Sequence, residues 1–284
     1  MCDEITFARD RRIAAMTRRR FNALTAAAGA VMLLPRAANA LDVVHSDVDV
    51  ETPDGTADCY FAHPAEGAHP GVVIWPDARG MRESYREMAG RLAEHGYSVL
   101  VVNPYYRKQR GPVISSGAEG NAMSALGPLL ADLSPETELS DAQAALAWLD
   151  ANEKVDRDRK LGTIGFCLGG PATFRTSAAA PDRVGAAASF HGVRLVTDQP
   201  TSPHLLVPNL RARFLIAIAE DDDAREPDAK NVLRSAFDEA GIEAEIEVYP
   251  AMHSWMTTDS AVHDAAQAER GWNRMLALFG AALG

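Results

Sequence analysis

Cysteine is scarce in this chain: three in 284 residues, at positions 2, 59 and 167. That is too few for a disulfide framework, and no C-x-x-C pair is present for redox or zinc chemistry. The eight histidines are scattered without H-E-x-x-H spacing, so no metal centre is expected. Positive charge is in deficit, with 28 lysines and arginines against 39 acids and a net charge of −11. A surface of that sign repels phosphate backbones, which argues against nucleic acid as a partner. Long apolar runs are missing too: the alanine-rich stretch at 23–34 falls short of the ~20 residues that cross a bilayer. No internal repeat and no second hydrophobic core is visible.

What the first forty residues do contain is a targeting pattern. Thr17-Arg18-Arg19-Arg20-Phe21 resembles a twin-arginine motif, the apolar stretch follows, and Ala38-Asn39-Ala40 has the A-x-A form of a signal-peptidase site. Residues 1–40 therefore read as a twin-arginine-type signal peptide. Its expected partners are the twin-arginine export machinery and signal peptidase. A start at Met16 would suit such a signal better and would make residues 1–15 a start-site error. The mature chain is expected to be periplasmic or secreted, with no membrane anchor after cleavage. Removing residues 1–40 takes away seven arginines and three acids and moves the net charge from −11 to −15. The 244 residues left suit one large domain, 41–284. Cys59 and Cys167 are expected to stay unpaired, since the twin-arginine route carries proteins already folded in the reducing cytoplasm.

Within that domain, alternating segments at 43–51 and 56–63 read as edge strands around a turn at Pro53-Asp54-Gly55. Short continuous apolar runs at 71–75 and 99–102 read as strands of a parallel sheet buried on both faces, and the mostly apolar runs at 161–166, 184–190 and 214–219 and the strand-like stretch at 244–249 read as further strands. Tyr85, Met88, Ala89, Leu92 and Ala93 recur at helical spacing, as do Leu139, Ala142, Leu146 and Leu149. Further amphipathic helices are predicted at 227–240 and 262–283. Strands alternating with helices define an α/β class with a mostly parallel, doubly wound sheet flanked by helices. The stretch 108–134, rich in Gly, Ser and Pro, reads as a loop or a mobile helix beside the site.

The chemistry is carried by Gly165-Phe166-Cys167-Leu168-Gly169-Gly170, at the end of one of those strands. This is the spacing of a nucleophile elbow, G-x-S-x-G, with cysteine in place of serine. A strand turning sharply into a helix strains the central residue, so its neighbours must lack side chains. The turn also aims a helix N-terminus at the sulfur, which favours thiolate. The absence of the phosphate-loop lysine and of the dinucleotide fingerprint argues against a nucleotide site here. Downstream, the strand at 214–219 ends in Glu220-Asp221-Asp222-Asp223, and the strand at 244–249 ends in Pro250-Ala251-Met252-His253-Ser254-Trp255. Nucleophile, acid and histidine thus come in the chain order of an α/β-hydrolase fold, each just past a strand's carboxyl end. Histidine is the natural base near neutrality, and a carboxylate behind it fixes its tautomer.

From about residue 50 to residue 283 the chain resembles the dienelactone hydrolase family, the cysteine branch of the α/β-hydrolases. The likeness rests on 165–170, the acidic strand end, Tyr249-Pro250 with His253-Ser254-Trp255, and the loop Trp75-Pro76-Asp77-Ala78-Arg79-Gly80. It implies a carboxylic ester hydrolase of the carboxymethylenebutenolidase type, acting on small esters or lactones without a cofactor. It implies Cys167 as nucleophile, His253 as base and Asp222 as acid. Counting back from Pro227 selects Asp223 instead; the strand register from Ala219 favours Asp222. Backbone amides of Ala78 and Leu168 are the expected oxyanion hole. Asp77 stands where the family's namesake enzymes carry a glutamate that holds the thiol; it reads equally as a tuning carboxylate or as a cap for the loop. Arg79, Arg82 and Arg107 are expected to face the pocket, with Arg107 in the place of an arginine that receives a substrate carboxylate. Tyr106, Trp255, Trp75 and His191 are candidate pocket walls, although each alone also reads as core packing.

Three functions compete: a cysteine hydrolase passing through a thioester, an acyltransferase or thioesterase using the same triad, and a non-catalytic small-molecule binding protein on the same fold. All three residue types stand in order, which favours catalysis. Thiolate is itself a good leaving group, so a cysteine enzyme needs esters whose alcohol leaves easily, such as enol lactones.

Overall fold

The computed structural model of the protein describes residues 40–113 and 122–284, with backbone alone at 122–125. The twin-arginine segment, the cleavage motif up to residue 39, and residues 114–121 lie outside the described residues.

Two alternating segments open the domain as β1 (Val43–Thr52) and β2 (Gly55–Pro64), paired antiparallel. The continuous apolar runs then form β3 (Gly71–Trp75), β4 (Ser98–Val102) and β5 (Leu161–Phe166), in which every residue is buried. They are followed by β6 (Val184–Phe190), β7 (Arg213–Ala219) and β8 (Ala244–Tyr249). Sheet order is β1-β2-β4-β3-β5-β6-β7-β8. From β4 through β8 all pairings are parallel; β2 runs antiparallel to both β1 and β4.

Helices cover both faces. α1 (Glu83–Glu94) presents Tyr85, Met88, Ala89 and Leu92 inward, as its spacing predicts. After α2 (Ala122–Leu130) come α3 (Pro135–Ala151) and α4 (Gly170–Ala179), then α5 (Glu220–Arg225), α6 (Ala229–Ala240) and α7 (Ala265–Ala282). On one side Leu92 of α1 and Met275 and Phe279 of α7 join a buried cluster with strand residues such as Ile74 and Ile164. On the other, Leu149 of α3, Phe174 of α4 and Phe237 of α6 pack with Val73 and Ile216. Each fully buried side chain of this size contributes ~1.5–3 kcal/mol, so the two clusters hold the sheet rigid from both faces.

Some boundaries differ from the periodicity. The terminal helix starts at Ala265 rather than 262, because the Asp264 side chain caps the amides of Ala266 and Gln267, both at 3.0 Å. The acidic run 220–223 is not a plain loop: it forms the first turn of α5, where carboxylates sit well against the helix dipole. Part of the 108–134 stretch is α2, whose internal Pro128 explains the weak pattern.

The order β4-β3-β5 means that the chain leaves β3 for one side and returns on the other. Loops from the carboxyl ends of these strands diverge and open a crevice, the place where doubly wound sheets bind ligands. The loops after β3, β5, β7 and β8 all leave at this end.

Candidate active site

β5 ends at Phe166, and Cys167 stands beyond it with φ +51°, one of four non-glycine residues in the left-handed region among those described. A single 3-10 turn, Cys167–Gly169, leads into α4 with Pro171 in its first turn. The flanking glycines are obligatory on steric grounds. A Cβ on Gly165 would sit 2.0 Å from the Gly169 carbonyl oxygen, and one on Gly169 would sit 2.2 Å from the Trp75 carbonyl oxygen. The second contact presses the elbow against the end of β3. Cys167 itself is 2% exposed.

From β8, the loop at 250–255 delivers His253, which is 3% exposed. Its Nδ1 lies 2.6 Å from Asp222 Oδ2, and its backbone amide donates to Asp221 Oδ1 at 2.8 Å. Asp222 also pairs with Arg225 one turn along α5. Asp223, the other candidate acid, turns instead to Lys230 at 2.6 Å. Burial alone would raise the Asp222 carboxyl; the hydrogen bond and charge of His253, with Arg225, hold it below its ordinary value.

His191, directly after β6, joins the two halves. It adopts φ +41° and is fully buried. Its ring meets that of His253 edge-on at 4.9 Å and lies 6.1 Å from that of Phe166, the residue before Cys167. Two residues on, the Val193 amide donates to the Cys167 carbonyl at 3.1 Å. Burial, and next the charge of His253, push His191 down to about 3, so it is neutral at ordinary pH. Trp255, expected on the pocket wall, lies in the core: it is fully buried, stacked on Tyr249 at 5.5 Å and edge-on to His191 at 5.1 Å.

The loop after β3 is held by charge. Asp77 takes the Arg82 fork on both oxygens, at 2.7 and 2.9 Å, and its Oδ1 also accepts the Arg79 amide at 2.9 Å. Arg82 reaches on to Asp259 through Nε at 2.6 Å, and Arg79 meets Asp259 at 3.2 Å. Burial would raise the Asp77 carboxyl, but the Arg82 and Arg79 charges hold it far below the usual range. Of the two readings of Asp77, this geometry is that of the loop cap; its oxygens are occupied by arginine and backbone. Ala78 and Leu168, the expected oxyanion donors, meet in one small cluster with Tyr105, Leu126 and Leu129.

Beside Leu168 lies a cleft of about 30 Å³, lined by Trp75, Asp77, Tyr105, Glu138 and Asp141 among others. Arg107, expected to face a substrate carboxylate, is committed elsewhere. Its fork grips Asp141 at 2.8 and 2.7 Å, and it also holds Asp54 at 3.0 and 2.7 Å. Tyr106 donates to Asp141 at 2.8 Å and lies 2.7 Å from Thr52 Oγ1. Glu138 pairs with Arg175 of α4 at 2.5 Å, and burial pushes its carboxyl up to about 7 against that arginine's pull. Glu138, Asp141 and Asp259 were not singled out in the sequence, where they read as polar faces of helices and a loop.

A strained thiol at a strand-to-helix turn, an acid–histidine pair at the next strand ends and the 1-2-4-3-5-6-7-8 sheet define an α/β-hydrolase. The sequence profile of the dienelactone hydrolase family matches residues 57–283, and the chain belongs to that family. Relatives provisionally named carboxymethylenebutenolidase share 28% identity in Methylorubrum extorquens, over 84% of this chain and 81% of theirs, and 29% in Escherichia coli, over 78% and 80%. Among solved structures, one provisionally described as a dienelactone hydrolase from Klebsiella pneumoniae superposes with a TM-score of 0.74. It covers 84% of this chain and 99% of its own at 24% identity, which speaks for the fold.

Proposed function

We propose that the protein hydrolyses small, uncharged esters or lactones through Cys167, His253 and Asp222, by way of a thioester on Cys167. The observation that carries this reading is the 2.6 Å hydrogen bond between His253 Nδ1 and Asp222, set past the ends of β8 and β7, at the same end of the sheet as a cysteine held at φ +51° past β5. With Nδ1–H donated to the carboxylate, Nε2 is the basic nitrogen. It takes the thiol proton as sulfur attacks the carbonyl carbon. The oxyanion that forms is held by the amides of Ala78 and Leu168; among the described residues the Ala78 amide donates to no other acceptor. His253 then returns the proton to the departing oxygen as the carbon–oxygen bond breaks. Water gives its proton to Nε2, attacks the thioester, and releases the acid and the free thiol. Each oxyanion donor is worth ~3 kcal/mol in the transition state.

The substrate's charge follows from Arg107. Two carboxylates already saturate its fork, and the cleft beside Leu168 adds Asp77 and Glu138. A substrate carboxylate there would meet acids rather than a waiting cation, so an uncharged lactone fits better. The relatives' name, carboxymethylenebutenolidase, denotes a lactone that itself carries a carboxyl group, and the uncharged substrate proposed for this chain departs from it at that group. Mixing the mature protein with p-nitrophenyl acetate tests the reading: a burst of nitrophenol followed by steady turnover is expected, absent from Cys167→Ala. Release that is equal in the two proteins would refute it.

The twin-arginine leader belongs to the same proposal: export in folded form, cleavage after Ala40, and work in the periplasm. Cleavage there would leave the described domain whole, since β1 starts at Val43 and the Leu41 amide donates to the Glu94 carbonyl at 3.1 Å. Fractionation of expressing cells should place the chain outside the cytoplasm with Leu41 at its N-terminus; a cytoplasmic, uncleaved chain would overturn this part.

A further inference from the structure

One large cavity lies away from the elbow. A groove of about 1130 Å³ runs along α1 between β1 and α7 and shares no lining residue with the cleft beside Leu168. Its apolar surface comes from Tyr60, Met88, Met256 and Trp272. Five carboxylates line it, Asp47, Glu83, Glu87, Glu94 and Glu269, against two arginines. Both arginines are taken. Arg86 pairs with Asp47 at 2.6 Å and lies over the Tyr60 ring at 4.4 Å. Arg91 pairs with Glu269 at 2.7 Å and lies over the Trp272 ring at 4.3 Å. His45 and His263 also line it, each with Nδ1 engaged, by the Tyr60 hydroxyl and the Trp255 carbonyl.

Two buried polar groups in the lining are without partners. The Ser84 hydroxyl and the Trp272 indole N–H belong to residues 4% and 3% exposed, and neither has a hydrogen-bond partner among the described residues. Buried polar atoms are normally satisfied, and each exception asks for a cause. A ligand that brings an acceptor for the indole N–H, an apolar body for the floor and a positive group for the surplus carboxylates would meet all three features. A volume of this size is that of a small-molecule site, and aromatic rings that already carry guanidinium show that their faces suit cations.

We propose that this groove is a second binding site, separate from the catalytic crevice, for an amphiphilic ammonium compound. Titration calorimetry on the mature protein with octyltrimethylammonium, beside octyl sulfate as the matched anion, tests it. The cation is expected to bind about tenfold or more tightly than the anion. The double variant Glu83→Gln with Glu87→Gln, and separately Ala265→Trp at the exposed rim, should each weaken it about tenfold, while Cys167→Ala leaves it unchanged. Equal binding of cation and anion, or cation binding untouched by both groove variants, would overturn the proposal. So would loss on Cys167→Ala, which would move the ligand to the catalytic crevice.

Discussion

Replacing Asp77 by asparagine separates two roles that the sequence leaves equal. The carboxylate and its Arg82 partner each have side chains only 5% exposed, so solvent screens their attraction little. Removing one partner of such a buried pair costs ~3–5 kcal/mol, because the other charge stays behind. Arg82 keeps Asp259, whose side chain is 28% exposed, so the lower end applies, about 3 kcal/mol. In a domain of this size that lowers Tm by roughly 6–12 °C. Because the native carboxyl is held below its unfolded value, its contribution is present above the unfolded pKa. It fades as pH falls toward the native one. Urea unfolding of wild type and Asp77→Asn at pH 7 and pH 3 should therefore show a gap that narrows in acid. Alkylation of Cys167 by iodoacetamide across pH should follow one curve in both proteins. A stability loss under ~1 kcal/mol with a displaced alkylation curve would refute the capping role and make Asp77 a group that tunes the thiol.

Three further outcomes are expected. Asp222→Asn should lower kcat by about 10⁴, the scale set by loss of a triad acid, whereas Asp223→Asn should change it only a few-fold; equal effects would undo the acid assignment. His191 is held down to about 3, below its unfolded value, so protons favour the unfolded chain and stability falls as pH drops below ~6.5. By pH 4.5 this amounts to about 3 kcal/mol, a loss that His191→Phe should shed in urea titrations at pH 7 and 4.5, and an identical loss in both proteins would contradict it. Gly165→Ala places a Cβ against the Gly169 carbonyl, 2.0 Å away and part of the backbone; it should destabilise by more than ~4 kcal/mol, and a stable, active Gly165→Ala enzyme would show that the elbow yields.

Local features were legible in the sequence, and distant charge pairings were not. Every strand of the sheet follows from a short apolar or alternating run, and the elbow follows from glycine spacing, because both are set by neighbours within a few residues. The positions of Cys167, Asp222 and His253 were readable because each sits just past a strand end. The partners of the arginines were not. Arg82 meets Asp259 across 177 positions, and Arg107 meets Asp54 and Asp141 across 53 and 34; no periodicity reports such pairs. Reading Arg107 as an open anion receptor therefore ignored two acids that folding brings to it. Trp255 shows the same limit. It is a candidate pocket wall in the sequence, but after β8 its indole lies in the core, stacked on Tyr249.

The ion cluster around Arg82 sets an order of events during synthesis. The loop after β3 is translated in the first third of the chain and the elbow just past its middle, yet the loop's anchor, Asp259, belongs to the last tenth of the chain. His253 and Asp222 are late as well. A nascent or truncated chain therefore carries the Cys167 thiol without His253, Asp222 or a fastened loop after β3. On the proposed reading, hydrolysis therefore awaits the segment that carries His253 and Asp259, and Cys167 is idle until then.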